Sequence, residues 1–198
     1  GYNWAGLWLI ATFPTRHYDI EQYPAVKQHL LSFGMERLEQ TGRSYVINGE
    51  VVKARKKTTN KWFETQDNIA YWEDFDKPHI CWKAVGRNLA FALVEGGIYL
   101  TAPASFISAD SNNEYILACL CSALCKYLIY KSSDTTGAGD IMLNIKSLVT
   151  LPLPLKFDRM YVRKMLNDPD RDNLINKYMR QLYGFNSEEW EYIQNYKR

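Results

Sequence analysis

Short apolar runs and polar turns alternate along the first third of this chain. Residues 7–13, LWLIATF, are bulky and mostly apolar, which predicts a buried strand. The period then becomes helical, because proline at Pro24 suits a first helical turn and Val26, Leu30 and Phe33 follow at helical spacing. This stretch therefore predicts a strand followed by a helix.

A hairpin is predicted next. Residues 45–52, YVINGEVV, place Asn48-Gly49 between two β-branched runs, the strongest short-range pattern for a two-residue hairpin turn. The second strand leads directly into residues 53–64, KARKKTTNKWFE, which contain five cations before the first acid. The hairpin and this basic run are therefore expected to be one local structure.

The middle of the chain predicts more strands and a buried helix. Apolar runs with turns between them predict strands at residues 79–85, 89–94, 98–102 and 104–108. From residue 113 to about 130 the side chains are apolar on nearly every face, which is typical of a helix buried by its neighbours.

After residue 155 the sequence becomes polar and helical. The helical spacing of residues 172–183 ends at Gly184, and Asn186 followed by Glu189 is the pattern of a capping box that starts another helix. We therefore predict an α+β domain over residues 1–155, with a twisted mixed β-sheet and packed helices, and a small helical tail over residues 156–198.

The charge is local. The chain has a formal net charge of +2, and without the five cations of residues 53–61 the remainder stands at −3. This distribution favours binding of an anionic partner at one place on the surface over nonspecific electrostatic binding.

The composition gives no metal or catalytic site. Three of the four cysteines crowd into CLCSALC, residues 119–125, but no Cys-x-x-Cys pair or nearby histidine completes a tetrahedral set, so no metal ligand is predicted. Glycine-rich nucleotide motifs are absent, and no nucleophile stands beside a base. We therefore expect buried thiols in a reducing cytoplasm, no catalytic residue and no cofactor in this chain.

The ends and the apolar runs suggest a piece of a longer cytoplasmic protein. No apolar stretch reaches the roughly 18 uncharged residues of a membrane span. The N-terminus lacks methionine and the features of a signal peptide, and it opens in mid-pattern.

The basic run has two interpretations. Its cations, which could neutralise DNA phosphates, are Lys53, Arg55, Lys56, Lys57 and Lys61. Trp62 and Phe63 could stack on bases. Alternatively the run is a solvated cap and the aromatic residues begin the next core segment, which is the interpretation we favour for Phe63.

Several stretches, taken in order, resemble a known family. They are YPAVKQHLLSF, KWFE, DFDKPHICW, ILACLCSALCKYLIY, a glycine loop, LPLP and INKYMRQLYGFNSEEWEYI. Together, from about residue 20 to 193, they resemble the TaqI-like C-terminal specificity domain. That domain is the target recognition domain of type IIG restriction-modification enzymes.

The resemblance implies a double-stranded DNA reader within a larger enzyme that methylates adenine and cleaves DNA. The parent would use S-adenosylmethionine and Mg²⁺ through a methyltransferase and nuclease portion whose motifs are absent here. On this hypothesis the cations of residues 53–61 hold the DNA backbone. Trp62, Lys83, Arg87 and Tyr99 read or stack on bases.

A different class of function stays open. In this alternative the chain is a protein-interaction module of a multidomain protein, its tail helices dock on another domain, and the basic loop is incidental. Binding to DNA at increasing salt separates the two, because phosphate contacts weaken steeply as counterion release loses its advantage.

Overall fold

A computed structural model describes residues 4–196 of the chain. This part contains eight α-helices and eight short β-strands, joined by irregular segments. The α+β class is confirmed. The chain forms two compact units, an N-terminal unit of Ala5–Trp72 and a C-terminal unit that contains the described residues from Glu73 onward together with Trp4. The observed division therefore falls between residues 72 and 73 and not at residue 155.

The N-terminal unit contains two helices and a hairpin. Its elements are α1 (Pro24–Leu31), α2 (Met35–Leu38), β1 (Ser44–Ile47) and β2 (Glu50–Lys53). Helix α1 begins at Pro24 as predicted. It ends before Phe33, which is 53% exposed.

The predicted strand at residues 7–13 is wrong. The segment has no regular secondary structure, and it joins no sheet within residues 4–196. Leu7 and Trp8 are 77% and 88% exposed, whereas Phe13 is buried. Apolar composition alone therefore did not produce a strand, because a strand also needs a neighbour with which to pair its backbone groups.

The hairpin prediction is confirmed. Strands β1 and β2 pair antiparallel, with Val46 opposite Val51 and Ile47 opposite Glu50. Asn48 and Gly49 have φ angles of 51° and 84°, the positive pair that a type I′ turn requires.

We predict that Gly49→Ala lowers the free energy of unfolding of the N-terminal unit by about 1–2 kcal/mol, the cost of placing a Cβ in left-handed backbone. A steric clash with neighbouring atoms is not the cause, since a Cβ at Gly49 meets no atom within 4 Å. Gly137→Ala is the matched control, because Gly137 is equally open and its φ is not positive. Urea unfolding of both variants checks this, and equal losses would contradict the turn argument.

The C-terminal unit contains two three-stranded antiparallel sheets. In the first, β3 (His79–Lys83) lies between β5 (Phe91–Val94) and β6 (Ala104–Ile107). In the second, β8 (Ile141–Met142) lies between β4 (Val85–Gly86) and β7 (Asp134–Thr135).

The predicted single mixed sheet is therefore wrong in detail. Every described strand pair is antiparallel, and the strands form three small sheets including the hairpin. Residues 98–102, also predicted as a strand, are irregular.

The C-terminal unit holds six helices. They are α3 (Asn113–Cys121), α4 (Ala123–Ser132), α5 (Ile145–Val149), α6 (Arg159–Leu166), α7 (Arg171–Tyr183) and α8 (Ser187–Asn195). Gly184 ends α7 and the Asn186–Glu189 capping box starts α8, as predicted.

The predicted helix over residues 113–130 is two helices. Ser122 separates α3 from α4 and caps α4, since its hydroxyl accepts from the Cys125 amide at 3.1 Å and donates to the Cys119 carbonyl at 2.6 Å. The two helices are bent by 71°. Within residues 4–196 no single helix is long and apolar enough to cross a membrane, and only this bent pair passes that test jointly.

The tail helices belong to the same core as α3 and α4. The buried cluster contains, from α3 and α4, Tyr115, Ala118, Cys119 and Leu124, and from the tail, Val162, Met165, Ile175, Met179, Trp190 and Ile193. Residues 156–196 therefore share a buried core with α3 and α4.

The cysteines are free thiols, and three of the four are buried. Burial raises the pKa of Cys119 to about 12 and that of Cys121 to about 11. A thiol with a raised pKa is a poor nucleophile near neutral pH. No group of three metal-ligating side chains comes together among the described residues.

Candidate nucleic-acid interface

The base of the hairpin continues into the basic run through backbone hydrogen bonds. The Ala54 amide donates to the Arg43 carbonyl at 2.9 Å and the Gly42 amide donates to the Arg55 carbonyl at 2.8 Å. The Arg55 amide donates to the Glu39 carbonyl at 2.9 Å. The chain leaving β2 is thus fixed to the residues that precede β1.

The side chain of Arg55 joins separate segments of the N-terminal unit by hydrogen bonds. Its Nε and Nη2 donate to the Leu38 carbonyl at 2.8 and 2.6 Å, its Nη1 donates to the Glu64 carbonyl at 2.8 Å, and its Nη2 also donates to the Trp62 carbonyl. Burial lowers the pKa of the Arg55 guanidinium. The expectation that Arg55 projects into solvent and contacts phosphates is corrected, because its donors are committed to three carbonyls of its own unit.

Two further side chains fix the loop after Arg55. Gln40 is buried, and its Nε2 donates to the carbonyls of Lys61 and Glu64 at 3.0 and 2.8 Å. The Asn60 amide donates to the carbonyls of Thr65 and Gln66 at 3.0 and 3.1 Å. The loop that carries the basic run is therefore held by hydrogen bonds within its own unit.

Four lysines remain on the outside of this scaffold, and Lys53, Lys56, Lys57 and Lys61 are all exposed. Lys56 forms an ion pair with Asp67, with 3.5 Å between Nζ and Oδ1. The Nζ of Lys61 lies 5.5 Å from the centre of the Phe63 ring. An exposed ion pair contributes at most about 1 kcal/mol, so an incoming phosphate can compete with Asp67 for Lys56.

The two aromatic residues take different positions. Phe63 is buried at 7% exposure, which confirms its assignment to the core. Trp62 is half-buried and packs edge-to-face on Phe63, with ring centres 5.5 Å apart. Stacking of Trp62 on a base stays a prediction.

The other predicted base-reading residues lie in the C-terminal unit. Lys83 ends β3 and is exposed, and Arg87 is 81% exposed beside Asp140, with 3.5 Å between Nε and Oδ1. Tyr99 is half-buried against Phe75.

The pKa of Tyr99 is raised by burial and by the Asp76 carboxylate, to which its hydroxyl donates at 3.2 Å. Lys83 is the last residue of β3 and Arg87 follows β4, whereas Tyr99 lies in the irregular residues 98–102. Their predicted role in reading bases has no further geometric support.

Sequence reasoning missed Arg43 and the exposed face of the hairpin. The register pairs Ser44 with Lys53, so Arg43, which is exposed, lies beside the start of the basic run. Extending the pairing by five residues on each side of Asn48-Gly49 would have placed Arg43 opposite Ala54, within the basic run.

No protein-family model, no curated protein and no solved structure matches this chain.

Proposed function

We propose that this chain recognises double-stranded DNA and that the hairpin and basic run of its N-terminal unit hold the DNA backbone. The observation that carries the proposal is the scaffold around Arg55, which presents Lys53, Lys56, Lys57 and Lys61 outward from a hydrogen-bonded loop. Ammonium groups carried by a hydrogen-bonded loop can neutralise several phosphates without the cost of ordering the loop backbone on binding.

The resemblance to TaqI-like specificity domains supports a place in a type IIG restriction-modification enzyme. In that role the chain supplies recognition, while adenine methylation and cleavage belong to other parts of the parent. S-adenosylmethionine and Mg²⁺ would act in those parts. Phosphate contacts position such a module on the duplex, and base contacts give it sequence preference.

We predict that replacing Lys53, Lys56 and Lys57 together with alanine weakens binding to every duplex alike. The plot of log binding constant against log salt concentration should flatten by about 0.9 per lost phosphate contact. Fluorescence anisotropy with short duplexes over a range of salt measures both quantities. Arg55 is left intact, because its removal would disturb the fold of the unit.

The control is a triple alanine variant of Lys146, Lys156 and Lys164, which are exposed lysines of the C-terminal unit. It removes the same charge, so a general electrostatic effect would lower affinity equally in both variants. Equal losses, or unchanged binding by the first variant at every salt concentration, would argue against the proposed backbone contact.

A protein-interaction module is the second candidate function, and one surface favours it. Leu155 and Met160, at the start of the tail region, are 96% and 76% exposed. Exposed apolar side chains mark protein contacts where they form a contiguous patch. If the chain bound no duplex at low salt, this candidate would replace DNA recognition.

A further inference from the structure

The hairpin carries an apolar pair that the packing of the N-terminal unit does not use. Val46 and Val51 lie directly opposite each other on β1 and β2 and are 76% and 67% exposed. On the other face, Val52 is buried and Tyr45 is half-buried. One face of the ribbon therefore packs on its own unit, and the valine face is presented to solvent.

The valine face is bordered by positive charge. Lys53 lies on the same face, opposite Ser44, and Arg43 precedes that pair. Glu50 is the sole acid between residues 43 and 61 of the sequence, and it pairs with Ile47 on the other face. This face has two valines at its centre and cations at the open end of the hairpin. It is therefore complementary to a polyanion that also exposes apolar groups.

We infer that the hairpin enters the major groove of double-stranded DNA and that Val46 and Val51 contact the 5-methyl group of thymine. The major groove is about 12 Å wide and admits a two-stranded β-ribbon, whereas the minor groove, at about 6 Å, does not. Strands of four residues span about 13 Å, so the ribbon reaches across the groove floor.

The side chains define what is read. Valine neither donates nor accepts a hydrogen bond, and the thymine methyl is the apolar group that base edges present in the major groove. Lys53 on the same face would reach a flanking phosphate. This inference rests on the proposed DNA binding and adds the hairpin to the predicted reading residues Lys83, Arg87 and Tyr99.

The test removes methyl groups from the DNA one at a time and removes the methyl groups of both valines from the protein. A duplex is enriched by the wild-type chain from a random-sequence pool and then resynthesised with each thymine replaced in turn by uracil, which lacks the methyl. Loss of one buried methyl contact should weaken binding about fourfold at the contacted position. The variant V46S/V51S has no side-chain methyl group at these two positions, and Tyr45 and Val52 still pack on the other face, so it should keep the hairpin and lose this sensitivity.

Val149→Ser is the matched control, since Val149 is 71% exposed on the C-terminal unit and this substitution should leave the thymine sensitivity unchanged. Circular dichroism establishes that each variant is folded. Insensitivity of the wild-type chain to every uracil, failure to enrich any sequence, or retained sensitivity in V46S/V51S overturns the inference. Salt-dependent binding would still support the proposed function in those cases, whereas absence of binding to any duplex overturns both.

Discussion

Arg55→Ala should lower the free energy of unfolding of the N-terminal unit by about 3 kcal/mol, as expected when charge-assisted hydrogen bonds to partly buried carbonyls are lost. The guanidinium joins the carbonyl that ends α2, at Leu38, to the carbonyls of Trp62 and Glu64. Removing it leaves three acceptors without this donor and separates the loop from the helix.

The side chain cannot be replaced by another cation. The planar guanidinium directs several N–H groups at fixed angles, whereas an ammonium is a compact point charge on a flexible stem. Arg55→Lys should therefore recover only part of the lost free energy of unfolding.

The measurement is urea unfolding combined with amide hydrogen exchange, which localises the loss to residues 38–66. Lys57→Ala is the control within the same loop, because Lys57 is exposed and surface substitutions usually change stability by less than about 0.5 kcal/mol. If Arg55→Ala and Lys57→Ala unfold at the same urea concentration, the hydrogen bonds of Arg55 do not stabilise the N-terminal unit.

This prediction also constrains experiments on DNA binding. A variant that removes Arg55 with its neighbouring lysines would combine loss of charge with loss of fold, and weaker binding would have two explanations. Arg55 must therefore be substituted in a different variant from Lys53, Lys56 and Lys57. The hydrogen bonds of Arg55 require this, and the sequence did not indicate it.

The predictable parts of the fold are those set by neighbouring residues. The Asn48-Gly49 hairpin, the Pro24 start of α1 and the capping box at Asn186 each depend on side chains within a few positions, and all are confirmed. Local backbone preference is enough to determine such features. The break at Ser122 belongs to the same class, since serine is a favoured N-cap, but the continuous apolar pattern concealed it.

The features that sequence reasoning missed depend on distant residues. The acceptors of Arg55 include the Leu38 carbonyl, which lies 17 positions away, and no side-chain pattern identifies a backbone carbonyl as a partner. Residues 7–13 have the composition of a strand but no described strand to pair with. The outward lysines of the candidate site were thus predictable from composition, whereas the scaffold that presents them was not.

Ending the chain after Leu155 should leave the C-terminal unit unable to fold. Helices α6, α7 and α8 contribute six buried side chains to the core cluster that contains Tyr115 and Cys119. Fully burying an apolar side chain contributes about 1.5–3 kcal/mol, so their removal costs on the order of 10 kcal/mol or more. That loss is comparable to the whole stability of an ordinary domain, about 5–15 kcal/mol.

The truncation is best compared with two full-length variants. Met179 is fully buried, and Met179→Ala should lower the free energy of unfolding by about 2–5 kcal/mol while leaving a folded unit. Glu188→Ala, at an exposed position in the first turn of α8, should cost less than about 1 kcal/mol. Thermal unfolding by circular dichroism, with hydrogen exchange over residues 113–132, ranks the three chains. A chain ending at residue 155 that protects these amides as well as the full-length chain would contradict this prediction, because α3 and α4 would then be stable without the side chains that cover them.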